Sequence, residues 1–505
     1  MEHTFSRAPT ADIPRSSFDR SHGLKTTFDA GKLIPIFVDE ALPGDTLSLN
    51  PTLFARVNTP LYPIMDNIFL DVHFFSVPMR LVWDNFRKFM GEQTNPDDST
   101  DYTVPELLAT NWGEQSLGDY MGIPTKIDDT VTSSLPFRAY NRIYNEWYRD
   151  QNLVESASQR TGDSADSSGL YTVRNRGKRH DYFTSCLPWL QKGDAVNIPL
   201  GSTAPITTDA DNTEKLGVYS TNYNGNRELN SVDHVKINAT TEPEQVLYTD
   251  LTNATAATVN ELRRAFQIQK LLERDARSGT RYAEIVKAHF GVDFLDVTYR
   301  PEFLGGTSSQ VQFESVPMTG NSSATQTTGD LAAAGTVTVQ GGGFTKSFTE
   351  HSIVMGIASV RADLTYQQGL ERMWSRSTRY DYYFPALAHI GEQAVLNKEI
   401  FLSDDQTQNN STFGYQERWA EYRYKPSKIT GKMRSNTTQS LDAWHLSQEF
   451  GSLPELNQSF IEENVPMDRI VTFTDEPDFH MDAYFNYKCA RPMPLFSVPG
   501  LIDHF

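Results

Sequence analysis

At 505 residues, 38 % hydrophobic and 11 % aromatic, the chain has material for one large domain with insertions or for two or three ordinary ones. A net charge of −19 excludes a surface that clamps nucleic acid on every side and leaves room only for local basic contacts. Two cysteines, Cys186 and Cys489, exclude a disulfide framework; they lie in no metal-ligand pattern and are expected as buried thiols.

Residues 1–20 contain no apolar stretch of the kind a secretory signal uses, and no run approaches the roughly 18–20 apolar residues of a membrane helix. The expectation is a soluble protein made in a cytosol, without membrane insertion. Residues 1–22 are polar and rich in Ser, Arg and Pro, which reads as an extended N-terminal arm. Strand-like text follows at 32–49, with Pro43-Gly44 as a turn. At 68–77, Ile68, Leu70, Val72 and Phe74 share one face at period two.

Residues 135–151 predict a helix carrying an aromatic stripe of Phe137, Tyr140, Tyr144, Trp147 and Tyr148, expected in a core or a subunit contact. Residues 198–256 turn Thr-, Asn-, Asp- and Gly-rich with few large apolar groups, which reads as a surface insertion. Thr258 to Glu261 fits a capping box, and Leu262, Phe266 and Leu272 give the helix behind it one apolar face. Ser278-Gly279 ends it, and a second helical piece carries Tyr282, Ile285, Val286 and His289.

The stretch 306–345 is Gly/Ser/Thr-rich and reads as a variable surface loop or long hairpin, its glycines serving turns rather than phosphates. Residues 351–364 form a compact apolar strand. The clearest strand runs from Phe479 to Cys489, where Phe479, Met481, Ala483, Phe485, Tyr487 and Cys489 alternate with largely polar residues. Strands at both ends, with helices and long loops between, fit a mainly β antiparallel sandwich with insertions.

No phosphate-loop, dinucleotide, zinc-protease or nucleophile-elbow motif occurs. His445 and Glu449 stand four apart but lack the further ligands of a zinc site. The reading is therefore no catalytic residues, no metal and no cofactor. One stretch is chemically suggestive. Residues 418–434 interleave Arg418, Arg423, Lys425, Lys428, Lys432 and Arg434 with Trp419, Tyr422 and Tyr424. Cations that track phosphates beside aromatic faces that stack bases are what single-strand binding uses. A second basic cluster at 174–180 supplies Arg174, Arg176, Lys178 and Arg179. For both, a solvated face or salt bridges between subunits is an equally good reading.

Long segments of the chain resemble the major capsid proteins of microviruses, in the gokushovirus branch of small single-stranded DNA bacteriophages. They are residues 18–46, 63–86, 140–153, 359–376 and 413–435, and the closing 489–505 (CARPMPLFSVPGLIDHF). The resemblance is weakest over 198–256 and 306–345. It implies an eight-stranded antiparallel jelly roll, a viral capsid β-sandwich, with long and partly helical insertions. The shell domain would be 23–197 and 257–505, with 1–22 as an internal arm and 198–256 as a protrusion at the threefold axes. The implied function is that of a shell subunit, sixty copies of which, through pentamers, close a T=1 icosahedral capsid around circular single-stranded DNA in the host bacterial cytoplasm. Implied partners are an internal scaffolding protein, a DNA-pilot protein, a small basic DNA-binding protein and a host cell-surface receptor. Trp83, Trp112, Trp147, Trp374 and Trp444 are candidate subunit contacts, with core packing the alternative for each. A competing reading from composition is a carbohydrate-active β-sandwich, either a binding module or a glycosidase.

Overall fold

The computed structural model describes residues 14–109, 111–196, 259–293, 299–320, 322 and 328–496, with the backbone of short strands between 206 and 249. The chain forms two compact units, one of residues 1–188 and 293–505 and one of residues 189–292.

Among the described residues, eleven strands make the two main sheets of the larger unit. They are β1 (Ser16–Asp19), β2 (His22–Phe28), β3 (Ile34–Ala41), β4 (Thr46–Val57), β5 (Ile68–Pro78), β6 (Glu302–Gln310), β7 (Gln312–Pro317), β8 (Leu331–Gln340), β9 (Phe344–Ser347), β10 (Ser352–Ala362) and β11 (Phe479–Arg491). One sheet runs β1–β11–β4–β8–β7, with β2 also on β11 and β9 also on β4; the other runs β6–β5–β10–β3. Every pairing between these strands is antiparallel.

The predicted C-terminal strand forms as its pattern demands. Phe479, Met481, Ala483, Phe485, Tyr487 and Cys489 are all buried, and β11 stays in register with β4 from Phe479 opposite Val57 to Ala490 opposite Thr46. Leu47, Leu49, Leu53, Ala55 and Val57 of β4 point the same way. They meet Ile34, Leu70, Val72, Phe74, Val354 and Val360 of the second sheet in one apolar cluster. This is a β-sandwich core: two sheets each bury one face against the other.

The central strands β5 and β10 of the second sheet are buried on both faces. Phe75 and Val77 of β5, with Ile353, Met355 and Ile357 of β10, point away from the sandwich into a further core with Trp83, Trp112, Phe137 and Tyr140. The predicted helix supplies much of that layer, as an α-helix over Leu135–Ile143 that continues as a π-turn over Tyr144–Tyr148. Tyr140 anchors it, its hydroxyl donating to the Leu33 carbonyl at 2.8 Å.

Several expectations are corrected. The stretch 306–345, read as a variable loop or long hairpin, is largely strand, in β6 to β9, and β7 and β8 pair antiparallel as a hairpin. Its small residues serve close backbone approach as well as turns. A Cβ on Gly343 would stand 1.8 Å from the Leu49 carbonyl oxygen, and Gly342, at φ +73°, would meet Thr307. The end of the N-terminal arm is likewise in the sheet, since Ser16–Asp19 pairs with β11; residues 1–13 lie outside the described residues. The helix after the insertion spans Val259–Ser278; on its expected apolar face Leu262 and Leu272 are half-buried while Phe266 is 59 % exposed. The insertion 198–256 falls mostly outside the described residues. Within it, Gly217–Tyr219, Asn226–Ser231 and Val235–Ala239 form a three-stranded sheet. Cys186 and Cys489 are both buried and free.

Candidate nucleic-acid interface

Two segments of the larger unit come together at one surface. The first, 372–384, is a chain of tight turns over Arg372–Ser375 and Arg379–Asp381. Asp381 ties the second turn by accepting from the Ser377 and Thr378 amides and the Thr378 hydroxyl. Those donors hold its carboxyl down at about 2, so it stays charged and keeps the turn capped. The second segment follows the strand Thr412–Glu417, and a short helical turn spans Ala420–Arg423.

Trp419 joins them. It sits in the left-handed region at φ +69°, a strained conformation for a bulky side chain. Its surroundings hold it there: the indole N–H donates to the Leu387 carbonyl at 2.9 Å, and its amide donates to Gln393 at 3.3 Å. Trp419 is therefore buried, the floor of the surface rather than a part of its face. Tyr383 packs edge-on to it, ring centres 5.7 Å apart, and Tyr422 lies 6.1 Å away.

Cations lie over these rings. The Arg376 guanidinium is 4.4 Å from the Tyr422 ring centre and 5.4 Å from that of Tyr382. Arg379 lies over Tyr380 and Phe384, and Arg418 over Trp419. Trp374, Tyr380, Tyr382, Tyr422 and Tyr424 are all exposed. Open aromatic faces among guanidinium groups give the chemistry that stacks unpaired bases and neutralises phosphates.

The charges are not all available. Lys425 and Lys428 both pair with Glu371, at 3.5 and 2.8 Å, and Arg423 pairs with Glu417. The lysines hold the Glu371 carboxyl below its ordinary range, led by the Lys428 hydrogen bond. Lys432 and Arg434, around the next turn (Gly431–Met433), are exposed.

The second basic cluster does not join this surface. Arg176 is buried and donates to Asp71 at 2.7 Å and Ser359 at 2.9 Å. Lys178 is buried under Phe460 and donates to the Phe460 carbonyl and to Gln448. Burial lowers its pKa. These two are core residues, so they are corrected from the DNA-facing reading. Arg174 stacks on Tyr144, half-buried, and Arg179 is exposed.

The tryptophans divide similarly. Trp83 and Trp112 are buried within the protomer and have no surface to offer a neighbour. Trp147 packs on Phe75 and Phe303 and donates to the Pro301 carbonyl, and Trp444 stacks on Tyr62. Trp374 alone of the five is broadly exposed, at 67 %. His445 is buried against the Met433 carbonyl.

Sequence reasoning missed Arg376, Arg379, Tyr380, Tyr382, Tyr383 and Phe384. The signal was present: residues 375–387 (SRSTRYDYYFPAL) interleave cations and aromatics as 418–434 do.

A two-sheet sandwich whose second sheet has its central strands cored on both faces, carrying an open aromatic and cationic surface, has the build of a structural subunit of a protein shell. A family model described as capsid protein (F protein) matches residues 6–501, and the chain belongs to that family. The chain is 44 % identical to capsid protein VP1 of Bdellovibrio phage phiMH2K, over 100 % of this chain and 98 % of that protein. It is 43 % identical to capsid protein VP1 of Chlamydia phage 1, over 99 % and 98 % of the two chains. It is 36 % identical to capsid protein VP1 of Spiroplasma virus 4, over 99 % and 97 %. The microvirus resemblance read from the sequence thus holds along the whole chain. The protein is a structural component of the phage virion, not an enzyme, and the carbohydrate-active reading is set aside.

Proposed function

We propose that this chain closes an icosahedral shell of sixty copies around circular single-stranded DNA, with the surface of 372–384 and 418–434 turned toward the genome. The observation that carries the inner-wall assignment is the group of exposed rings with guanidinium groups over them, on a chain of net charge −19. A strongly acidic shell needs its cations gathered where the phosphates are. A small basic DNA-binding protein would neutralise the remaining phosphates, and scaffolding and DNA-pilot proteins would act during assembly in the host cytoplasm.

Particles assembled with Arg376→Ala, Arg379→Ala and Tyr380→Ala should form shells that hold less DNA, read as a lower absorbance ratio at 260 over 280 nm. Unchanged DNA content in intact shells would reassign this surface to contacts between subunits. The insertion 198–256 is proposed as a threefold protrusion that meets the host receptor, supported by its polar, core-poor composition. Deleting 205–250 should leave shells that form but do not attach; loss of assembly would make the insertion structural instead.

A further inference from the structure

Beside the aromatic surface lies an open cavity of about 130 Å³. Buried Tyr182 and Phe183 line its inner side, with Tyr366, while exposed Met373, Lys425 and Lys428 line its mouth. Arg372, Arg376, Glu399 and Glu421 also line it. The volume is well below the roughly 300–1,000 Å³ of sites for drug-sized ligands, which limits an occupant to about one planar ring system.

The polar groups are held in place. Glu399 accepts from the Tyr182 hydroxyl at 2.9 Å, the Leu396 amide at 2.9 Å and Arg372 at 3.2 Å. Glu421 accepts from Gln393 at 2.7 Å and lies 3.6 Å from Arg376. Arg376 is the exception. Its charge is matched by Glu421, yet its Nε is buried and has no hydrogen-bond acceptor. A buried donor without an acceptor costs free energy unless a ligand supplies one.

We propose that this cavity takes one unstacked base of single-stranded DNA. The inference rests on the genome-facing reading above and adds a specific seat to it. Aromatic walls take the faces of the ring, and a base carbonyl or ring nitrogen gives the Arg376 Nε its acceptor. The glutamates accept from exocyclic or ring N–H groups, and the lysines at the mouth lie where the flanking phosphates pass. An inorganic anion would meet three carboxylates among the lining residues, those of Glu371, Glu399 and Glu421.

The test is fluorescence anisotropy with the full-length chain and single strands of about ten nucleotides. One strand carries its bases; the other has the same backbone with abasic sites. The base-bearing strand should bind at least about fivefold tighter, the lower end of the effect of one stacked base. Ser427→Trp, at an exposed position lining the cavity, should remove that advantage while leaving backbone binding in place. Equal affinity for the two strands in the unsubstituted chain would overturn the base seat and leave the genome-facing surface standing. A base advantage that survives Ser427→Trp in a folded chain would place the stacking on the open rings and also overturn the seat. Binding of neither strand, even at low salt, would overturn both readings.

Discussion

Asp71 on β5 is the sharpest point at which the fold can be broken without changing its shape. Its carboxylate is buried and accepts from Arg176 at 2.7 Å, from the Arg361 Nε at 2.9 Å and from Ser308 at 2.6 Å. Burial pushes its pKa up, but the two guanidinium groups and the serine hydroxyl outweigh that and hold it below the ordinary value. Asp71→Asn keeps the volume and removes the charge. Arg176 then keeps Ser359 and Arg361 keeps Asp363 at 3.7 Å and the Phe69 ring, with Glu463 nearby, but neither keeps a directly hydrogen-bonded carboxylate on β5. Breaking a buried pair by removing one partner costs about 3–5 kcal/mol, because the remaining charge stays desolvated. The substitution should therefore lower the unfolding free energy by that amount in urea titrations of the unassembled chain near neutral pH. The sign with pH follows from the depressed pKa. The stabilisation is fully present above the unfolded-chain value near 3.8 and is lost as pH falls through the lower folded value. The variant should consequently lose its deficit relative to the parent in strong acid. A neutral-pH loss below about 1 kcal/mol would refute the claim that this cluster is a charge-paired core element.

Three further outcomes are expected. Gly343→Ala should cut soluble yield and lower the melting temperature, by about 2 kcal/mol or more in stability, since its Cβ meets backbone rather than a movable side chain. Replacing Lys425, Lys428 and Lys432 together by Ala should flatten the log–log salt dependence of single-strand binding by about 2, at roughly 0.7 per lost phosphate contact. A smaller change, about 0.7, would mean that Glu371 already engages two of the three. Asp478 is pushed up to about 6, chiefly by burial. A raised carboxyl pKa means the folded state holds the proton more tightly, so this group adds stability as pH falls from 6 toward 4, and Asp478→Asn should remove that rise in pH-dependent melting.

How much was legible differs from residue to residue. Phe479 to Cys489 announced itself because a sheet covered on one side imposes strict alternation. Ser352–Ala362 was legible as a strand, but not that both of its faces are buried, since an apolar run reads the same in any well-covered element. Half of the candidate interface, 418–434, stood out as a local motif; its other half, 372–384, became part of a site only when Tyr383 met Trp419 and Tyr422.

By itself the sequence determined what local pattern and long ordered similarity can carry: the β class, the strands that close the core, the capsid family and the cationic–aromatic chemistry of one stretch. Only the tertiary structure decided which charges are available. Arg176 and Lys178 look like a surface cluster in the text, yet Asp71 from a distant strand and Phe460 from a distant turn bury both. Gly343 reads as a loop glycine and does lie in the turn between β8 and β9, but what requires glycine there is the distant Leu49 backbone, which approaches too closely for any side chain. Burial and charge pairing depend on what the rest of the chain brings to a residue, and local sequence does not contain that information.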